Sequence, residues 1–354
     1  MTSEAEGTSS APGRIAPHAG TGLTLDLVGW DEPDAERLRT AQQAELRALY
    51  GDDDIGHTMT GASVLAMVVL RLDGTAIGCG AVRDASDELG AGVGELKRMY
   101  VVPAQRGHGW SRLVLADLEA RARVLGLTRL VLETGVLQVE ALGLYLGAGY
   151  LPIENFGQYA DVAESRCLAK SLVPEDARPV RAAVRPAGPA PVVTIRRAAW
   201  DDPDAVRLRR EMFDEASLPR YPELAHLVAT PGGYEADDAA QGVGVLVVLV
   251  ADVDGVPRAC VALRAARPGL EPDAGELKKV FVSEAARGLG IARLLMRAVE
   301  GEARLHGLAR LVLHTGIRQP EAITLYTALG YRPVRLFPQH AGDPIALCFG
   351  KLLA

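Results

Sequence analysis

The sequence predicts an α/β protein of two tandem units, each a mixed, mostly antiparallel β-sheet flanked by α-helices. Three observations carry the prediction. Residues 94–150 return at 275–331 at a constant offset of 181 without an insertion, GELKRMYV against GELKKVFV at the start and LGAGY against TALGY at the end. Chance does not hold register over such a length, so one folding unit is present twice. The 354 residues accommodate two such units, since a domain typically takes roughly 100–200 residues. Within each copy, strand-like and helix-like patterns follow one another in the same order, β-α-β-β-β-loop-α-β-α-β.

Each copy opens with a strand and a helix: LTLDLVGWDEPDAERLRTAQQAEL matches VVTIRRAAWDDPDAVRLRREMFDEA, with Trp30 over Trp200 at an offset of 170. The second copy therefore gains eleven residues (181 − 170) around LPRYPELAHLVATPGGYEADD before it reaches the constant offset. A length change beside a fixed core marks a substrate-facing loop. Two strands around an Asp-Gly turn follow, at Asp73-Gly74 and Asp254-Gly255. The next strand (ELKRMYVV, ELKKVFVS) runs into a glycine loop and a helix. That helix has an apolar face of Trp110, Leu113, Val114, Leu118 and Ala122, or Ile291, Leu294, Leu295, Val299 and Ala303. RLVLETG or RLVLHTG then reads as a buried strand, EALGLY or EAITLY as a helix, and a last strand closes the unit. Residues 1–21 read as a disordered tail, 22–173 as the first unit, 174–191 as a Pro/Ala-rich linker and 192–354 as the second unit.

Composition excludes several classes. A net charge of −7 leaves no basic footprint for nucleic acid. The longest apolar stretch, at 242–251, is too short to span a bilayer, and the first twenty residues hold no apolar signal core, so a cytoplasmic protein without a membrane partner is expected. The four cysteines repeat as well, Cys79 with Cys260 and Cys167 with Cys348, each in an apolar run without CxxC spacing. They read as reduced core residues, and no metal is expected.

In each copy a strand leads through RGxGx[SA], RGHGWS at 106–111 and RGLGIA at 287–292, directly into a helix. Glycines let the backbone approach a ligand closely, and the free N–H groups and dipole of a helix start suit a diphosphate. A dinucleotide fingerprint fits badly, because the loop follows the fourth strand and the first copy offers only Gly107 and Gly109. The later helix carries AxxLYxxxGY: Ala141, Leu144, Tyr145, Gly149 and Tyr150, and Ala322, Leu325, Tyr326, Gly330 and Tyr331. On these motifs both units resemble the GNAT N-acetyltransferase superfamily, whose acetyl-CoA loop is [RQ]xxGx[GA]; Ser111 departs from it at the last position.

The resemblance implies acetyl-CoA as acyl donor and a small-molecule primary amine that attacks it directly in a ternary complex. Met99 and Val101, and Val280 and Val282, would carry the pantetheine; Arg106, Gly107, His108, Gly109, Trp110 and Ser111, and Arg287, Gly288, Leu289, Gly290, Ile291 and Ala292, would hold the diphosphate. Tyr145 and Tyr326 would donate a proton to the departing thiolate, or else pack under the Gly-Tyr turn. Glu95 and Glu276 stand eleven residues before the loop arginine and would act as bases, or else pair with Lys97 and Lys278 on the same strand face. Tyr150 and Tyr331 read as core, and His108 as a solvated loop side chain. At the end of the next strand Glu133 faces His314 across the alignment, which points to diverged acceptor pockets or to one idle site. Gln138 and Gln319 replace an Asn common in the family. Acidic residues 52–54 and 235–238 would attract a cationic amine or simply be solvated. A second reading makes one unit a non-catalytic acetyl-CoA-binding or scaffolding module. Oligomeric state is not readable.

Overall fold

A computed structural model describes residues 22–51, 59–173 and 190–353. The expected tail, most of the linker and acidic residues 52–54 lie outside them. The chain falls into two compact units, one built mainly before residue 179 and one mainly after it, with residues 135–147 and 151–154 counted with the second.

The first repeat forms β1 (Leu23–Val28), α1 (Pro33–Tyr50), β2 (Val64–Leu72), β3 (Thr75–Asp84), the short α2 (Ser86–Leu89), β4 (Val93–Val101), α3 (Trp110–Val124), β5 (Arg129–Gly135), α4 (Val139–Gly147), β6 (Leu151–Ile153) and β7 (Ser165–Ser171). The second forms β8 (Val193–Ala198), α5 (Pro203–Met212), α6 (Ala225–Ala229), α7 (Gly233–Gly242), β9 (Val245–Val253), β10 (Val256–Ala265), β11 (Ala274–Val282), α8 (Ile291–Leu305), β12 (Arg310–Gly316), α9 (Pro320–Ala328), β13 (Arg332–Val334) and β14 (Ala346–Leu352). Each set of strands makes one seven-stranded sheet, ordered β1-β2-β3-β4-β5-β7-β6 and β8-β9-β10-β11-β12-β14-β13. The single closing strand expected from sequence is thus two, and three-residue β6 and β13 are too short to show a period.

Local chemistry sets the elements. Pro33 and Pro203 stand in the first turns of α1 and α5, where a missing N–H is harmless. Glu32 and Asp202 accept from the first free amides there, at 2.8 Å for Ala35 and 3.0 Å for Asp204. The Asp-Gly hairpins turn with positive φ at both residues, 50° and 79° in each copy, as a type I′ turn requires. Val114, Leu118 and Ala122 of α3 are fully buried, and so are Leu295, Val299 and Ala303 of α8. Leu115 and Met296 join those faces, whereas Leu294, expected inside, is 42% exposed. Half-buried Trp110 does not reproduce the fully packed Ile291.

The eleven extra residues do not form an open loop. After α5 the backbone loosens into a π turn (Phe213–Ser217), and α7 returns over it. Asp238 of α7 binds Arg209 of α5 with two oxygens, at 2.9 and 2.7 Å, and Arg209 stacks on Trp200 at 3.7 Å. Asp238 is therefore a structural ion-pair residue, not a solvated acid.

Candidate active site

The central feature of both sheets is a fault in the strand before the glycine loop. Arg98 and Lys279 adopt φ of 57° and 55°, and the pairing with β3 and β10 slips by a residue at Cys79/Ala81 and Cys260/Ala262. Such a bulge bends its strand. On the other side, parallel pairing of β4 with β5 covers only residues 93–95, and that of β11 with β12 only residues 274–277. Beyond those pairs the strands part, and residues 99–102 and 280–283 line the opening. Within it, Gln42 Nε2 donates to the Met99 carbonyl at 3.0 Å. Arg106 Nε donates to the Val101 carbonyl at 3.0 Å and Arg287 Nε to that of Val282 at 3.2 Å.

Each loop arginine thus ties its loop to the strand end. Arg106 also meets Glu45 at 2.6 Å, and Arg287 lies 3.8 Å from Glu215. Gly107, Gly109, Gly288 and Gly290 have φ of 84°, 82°, 81° and 77°, a region costly for residues with a Cβ. A Cβ built on any of the four meets nothing within 4 Å, so the space before the loop is open. Among the described residues, no protein group accepts from the N–H groups of residues 107–111 or 288–292. Five consecutive amides without a protein acceptor thus stand at the head of a fifteen-residue helix, an anion-binding arrangement. Ser111 leaves it intact. His108 is exposed and stacks on Trp110 with ring centroids 5.9 Å apart.

Glu95 is wholly buried on β4. Arg83, directly opposite on β3, holds one carboxylate oxygen at 2.5 Å, and Lys97 Nζ lies 2.9 Å from the other. Arg83 continues to Glu88 at 2.8 Å. In the second copy Arg264 bonds Glu276, while Arg267 and Lys278 each stand 3.8 Å away. The ion-pair alternative is the observed geometry, and its main partner is an arginine on the neighbouring strand. Sequence reading found Lys97 and Lys278 but not Arg83 and Arg264, because only the cross-strand register brings them opposite.

Tyr326 is 6% exposed on α9, with ring centroids 6.0 Å from Tyr331 and 6.2 Å from Phe349. Burial pushes its phenol well above the ordinary tyrosine range. Among the described residues no hydrogen bond to its hydroxyl is found. Tyr145 is equally buried on α4. Tyr150 and Tyr331 are fully buried, and Tyr331 donates to Glu300 at 3.2 Å, as expected of core residues.

The matched strand ends differ in kind. Glu133 accepts from Ser165 Oγ at 2.7 Å, and Lys97 donates to Tyr159 Oη at 2.5 Å. Burial works against the Lys97 charge, but Glu95 and Tyr159 outweigh it and raise its pKa. In the second copy His340 occupies the place of Tyr159 and stacks on His314, ring centroids 3.7 Å apart. Burial, helped by His340 and Lys278, drives the His314 pKa down to about 3. Burial also lowers Lys278, and Glu276 does not compensate. Tyr221, brought in by the eleven-residue insertion, lies against the end of β12, where a Cβ on Gly316 would overlap its hydroxyl. Sequence reading assigns no individual role to Tyr159, Tyr221 and His340, although they lie in the segments 156–159, 212–240 and 337–340 from which it leads one to expect the acceptor pocket, and Asp343, in a loop without periodicity, left no signal.

All four cysteines are buried and none forms a disulfide, and burial raises Cys79, Cys167 and Cys260 to about 12. Among the described residues no helix is long and apolar enough to cross a membrane.

Comparison with known proteins bears on both copies. The profile of the Acetyltransferase (GNAT) family matches residues 30–150 and again 205–331. The chain is 41% identical over 108 residues to an IAA acetyltransferase of Azospirillum brasilense, covering 30% of this chain and 69% of that one. It is 42% identical over 72 residues to N-acetyltransferase 8 of Mus musculus, covering 19% of this chain and 32% of the relative. Among solved structures, the PaiA N-acetyltransferase of Thermoplasma acidophilum in complex with coenzyme A aligns over 46% of this chain and 99% of its own, at 13% identity and a TM-score of 0.35.

Proposed function

Because the chain belongs to the acetyltransferase (GNAT) family and is an acyltransferase, we propose that it moves an acetyl group from acetyl-CoA to a primary amine of a small molecule, with a donor site in each copy. The observation that carries this reading is the duplicated pairing of five free amides with a parted strand beside them. Acetyl-CoA supplies a thioester whose carbonyl carbon is open to attack by an amine.

The N–H groups of residues 107–111 and 288–292 bind the diphosphate, and Arg106 and Arg287 add positive charge while tying the loop to its strand. Residues 99–102 and 280–283 line the channel for the pantetheine arm. Tyr326, and Tyr145 at the matched position, stand as donors toward the sulfur. Because the Tyr326 phenol is raised, its hydroxyl stays protonated at every working pH and stabilises negative charge on sulfur by hydrogen bonding. Full proton transfer to an ordinary thiolate, whose acid has a pKa of about 8.5, runs uphill. Glu95 and Glu276 fit an anchoring role better than a base: each is buried and bound by an arginine. They fix Lys97 and Lys278 at the acceptor side.

A second reading, in which one copy binds acetyl-CoA without catalysis, draws on the unlike surroundings of Glu133 and His314. A panel of aminoglycosides, polyamines, amino acids and peptide N-termini, assayed by thiol release, tests the function. Acetyl-dependent release with at least one amine is expected, and it is lost when Tyr145 and Tyr326 are both replaced by Phe. Release that persists in the double variant removes the tyrosine assignment, and no release with any primary amine removes the proposed acceptor class.

A further inference from the structure

We propose that His314, His340 and Asp343 bind one divalent transition-metal ion, and that only the second copy has such a site. His314 is the first residue of β12 beyond its last backbone pair with β11. His340 ends the 3-10 turn Pro338–His340, and Asp343 follows in the loop before β14. One ligand atom from each side chain lies within 4.8 Å of the others. Ligands bonded at about 2.1 Å in a tetrahedron stand about 3.4 Å apart, so the atoms are near enough to converge once the two imidazoles, stacked at 3.7 Å, turn out of their stack to aim both nitrogens at one ion.

Two further features point to a cation. Among the described residues His314 Nε2 is buried with no hydrogen-bond partner, a lack that a metal–nitrogen bond would meet. Asp343 is fixed by the N–H of Ile345, which donates to Oδ1 at 3.0 Å, the kind of outer bond that orients a ligand. Two imidazoles and a carboxylate are the donor set of zinc and its transition-metal neighbours, while magnesium and calcium prefer oxygen alone. Of the charged groups nearby, Asp343 and Glu276 favour a cation, and Lys278 and Arg267 oppose it. The repeat supplies a control. At 181 residues earlier stand Glu133, Tyr159 and Val162, and the first two are bonded to Ser165 and Lys97.

The test is calorimetric titration of tag-free, chelator-treated full-length protein with Zn²⁺, repeated with Co²⁺ and read by visible absorption. One zinc per chain at this site is expected, with cobalt bands that report imidazole ligation. His314→Phe and His340→Asn should each weaken zinc at least tenfold, whereas His306→Asn, on an exposed helix end, should change it less than twofold. If His314→Phe fails to fold by circular dichroism, His340→Asn in the half-buried turn decides. Absence of stoichiometric zinc binding, or a loss below tenfold in the folded variants, overturns the site. Neither result depends on acetyl transfer, so the site and the proposed function fail separately.

Discussion

Tyr326 and Glu276 separate two uses of a buried polar side chain. Among the described residues no hydrogen bond reaches the Tyr326 hydroxyl, which leaves it available to a ligand. Tyr326→Phe, made in a chain that already carries Tyr145→Phe so that the other copy is silent, removes any residual donor. A fall in kcat of about 100-fold relative to the Tyr145→Phe chain is expected, with the KM for acetyl-CoA nearly unchanged, since the bond forms as charge develops on sulfur. Steady-state kinetics at saturating amine measures it, and a change in KM alone would mark Tyr326 as a packing residue. Glu276 is already committed to Arg264, and Glu276→Gln leaves a guanidinium buried beside a neutral amide. A destabilisation of about 3 kcal/mol is expected, seen as a lower denaturation midpoint with an unchanged slope. The discriminating readout is the pH–rate profile of the folded fraction. An anchor leaves its limbs where they were, whereas loss of the limb set by a base would return Glu276 to the base role.

At the scale of elements, the glycine loop is where sequence and geometry agree most closely. Both glycines of RGLG occupy left-handed backbone that a Cβ disfavours by about 1–2 kcal/mol each, and neither would clash with a neighbour. Gly288→Ala with Gly290→Ala therefore leaves the fold intact and disturbs only the direction of five amides. A rise of roughly tenfold or more in the acetyl-CoA dissociation constant of the second copy is expected, with the melting temperature lowered by several degrees through the backbone strain; unchanged binding would move the diphosphate elsewhere. Much of this was legible in the sequence because glycine spacing and apolar periodicity are local signals. The succession of elements up to the closing strand, the DG hairpins and the two long core helices were legible for the same reason. What escaped depends on distance. Arg83 meets Glu95 only through the register of β3 on β4, and Arg264 meets Glu276 only through that of β10 on β11. Sequence also assigned Leu294 to the core, although α8 is rotated so that Met296 faces inward instead. The insertion read as a substrate loop, yet Asp238 and Arg209 make it part of the packing, with Tyr221 reaching the end of β12 and Arg220 and Glu223 holding Arg318 just beyond it.

For the whole molecule, the question left by the duplication is how many donor sites one chain carries. Both copies keep the bulged strand, the parted neighbour, the positive-φ glycines and the free amides. None of these depends on residues that differ between the copies: Ser111 replaces Ala292 without altering the backbone, and Trp110 is only half-buried where Ile291 is packed. The acceptor ends, in contrast, have diverged in charge, with Glu133, Tyr159 and a raised Lys97 on one side and His314, His340 and a lowered Lys278 on the other. On the proposed function, donor binding and acceptor choice would rest on separate residues, so that duplication could keep the first while changing the second. Titration of the full chain with acetyl-CoA should accordingly give two equivalents. The Gly288→Ala, Gly290→Ala chain should lose the tight binding of one, and the corresponding Gly107→Ala, Gly109→Ala chain that of the other. One equivalent in the unaltered protein, abolished by only one of these pairs, would instead identify the remaining copy as a scaffold that has kept the loop without the ligand.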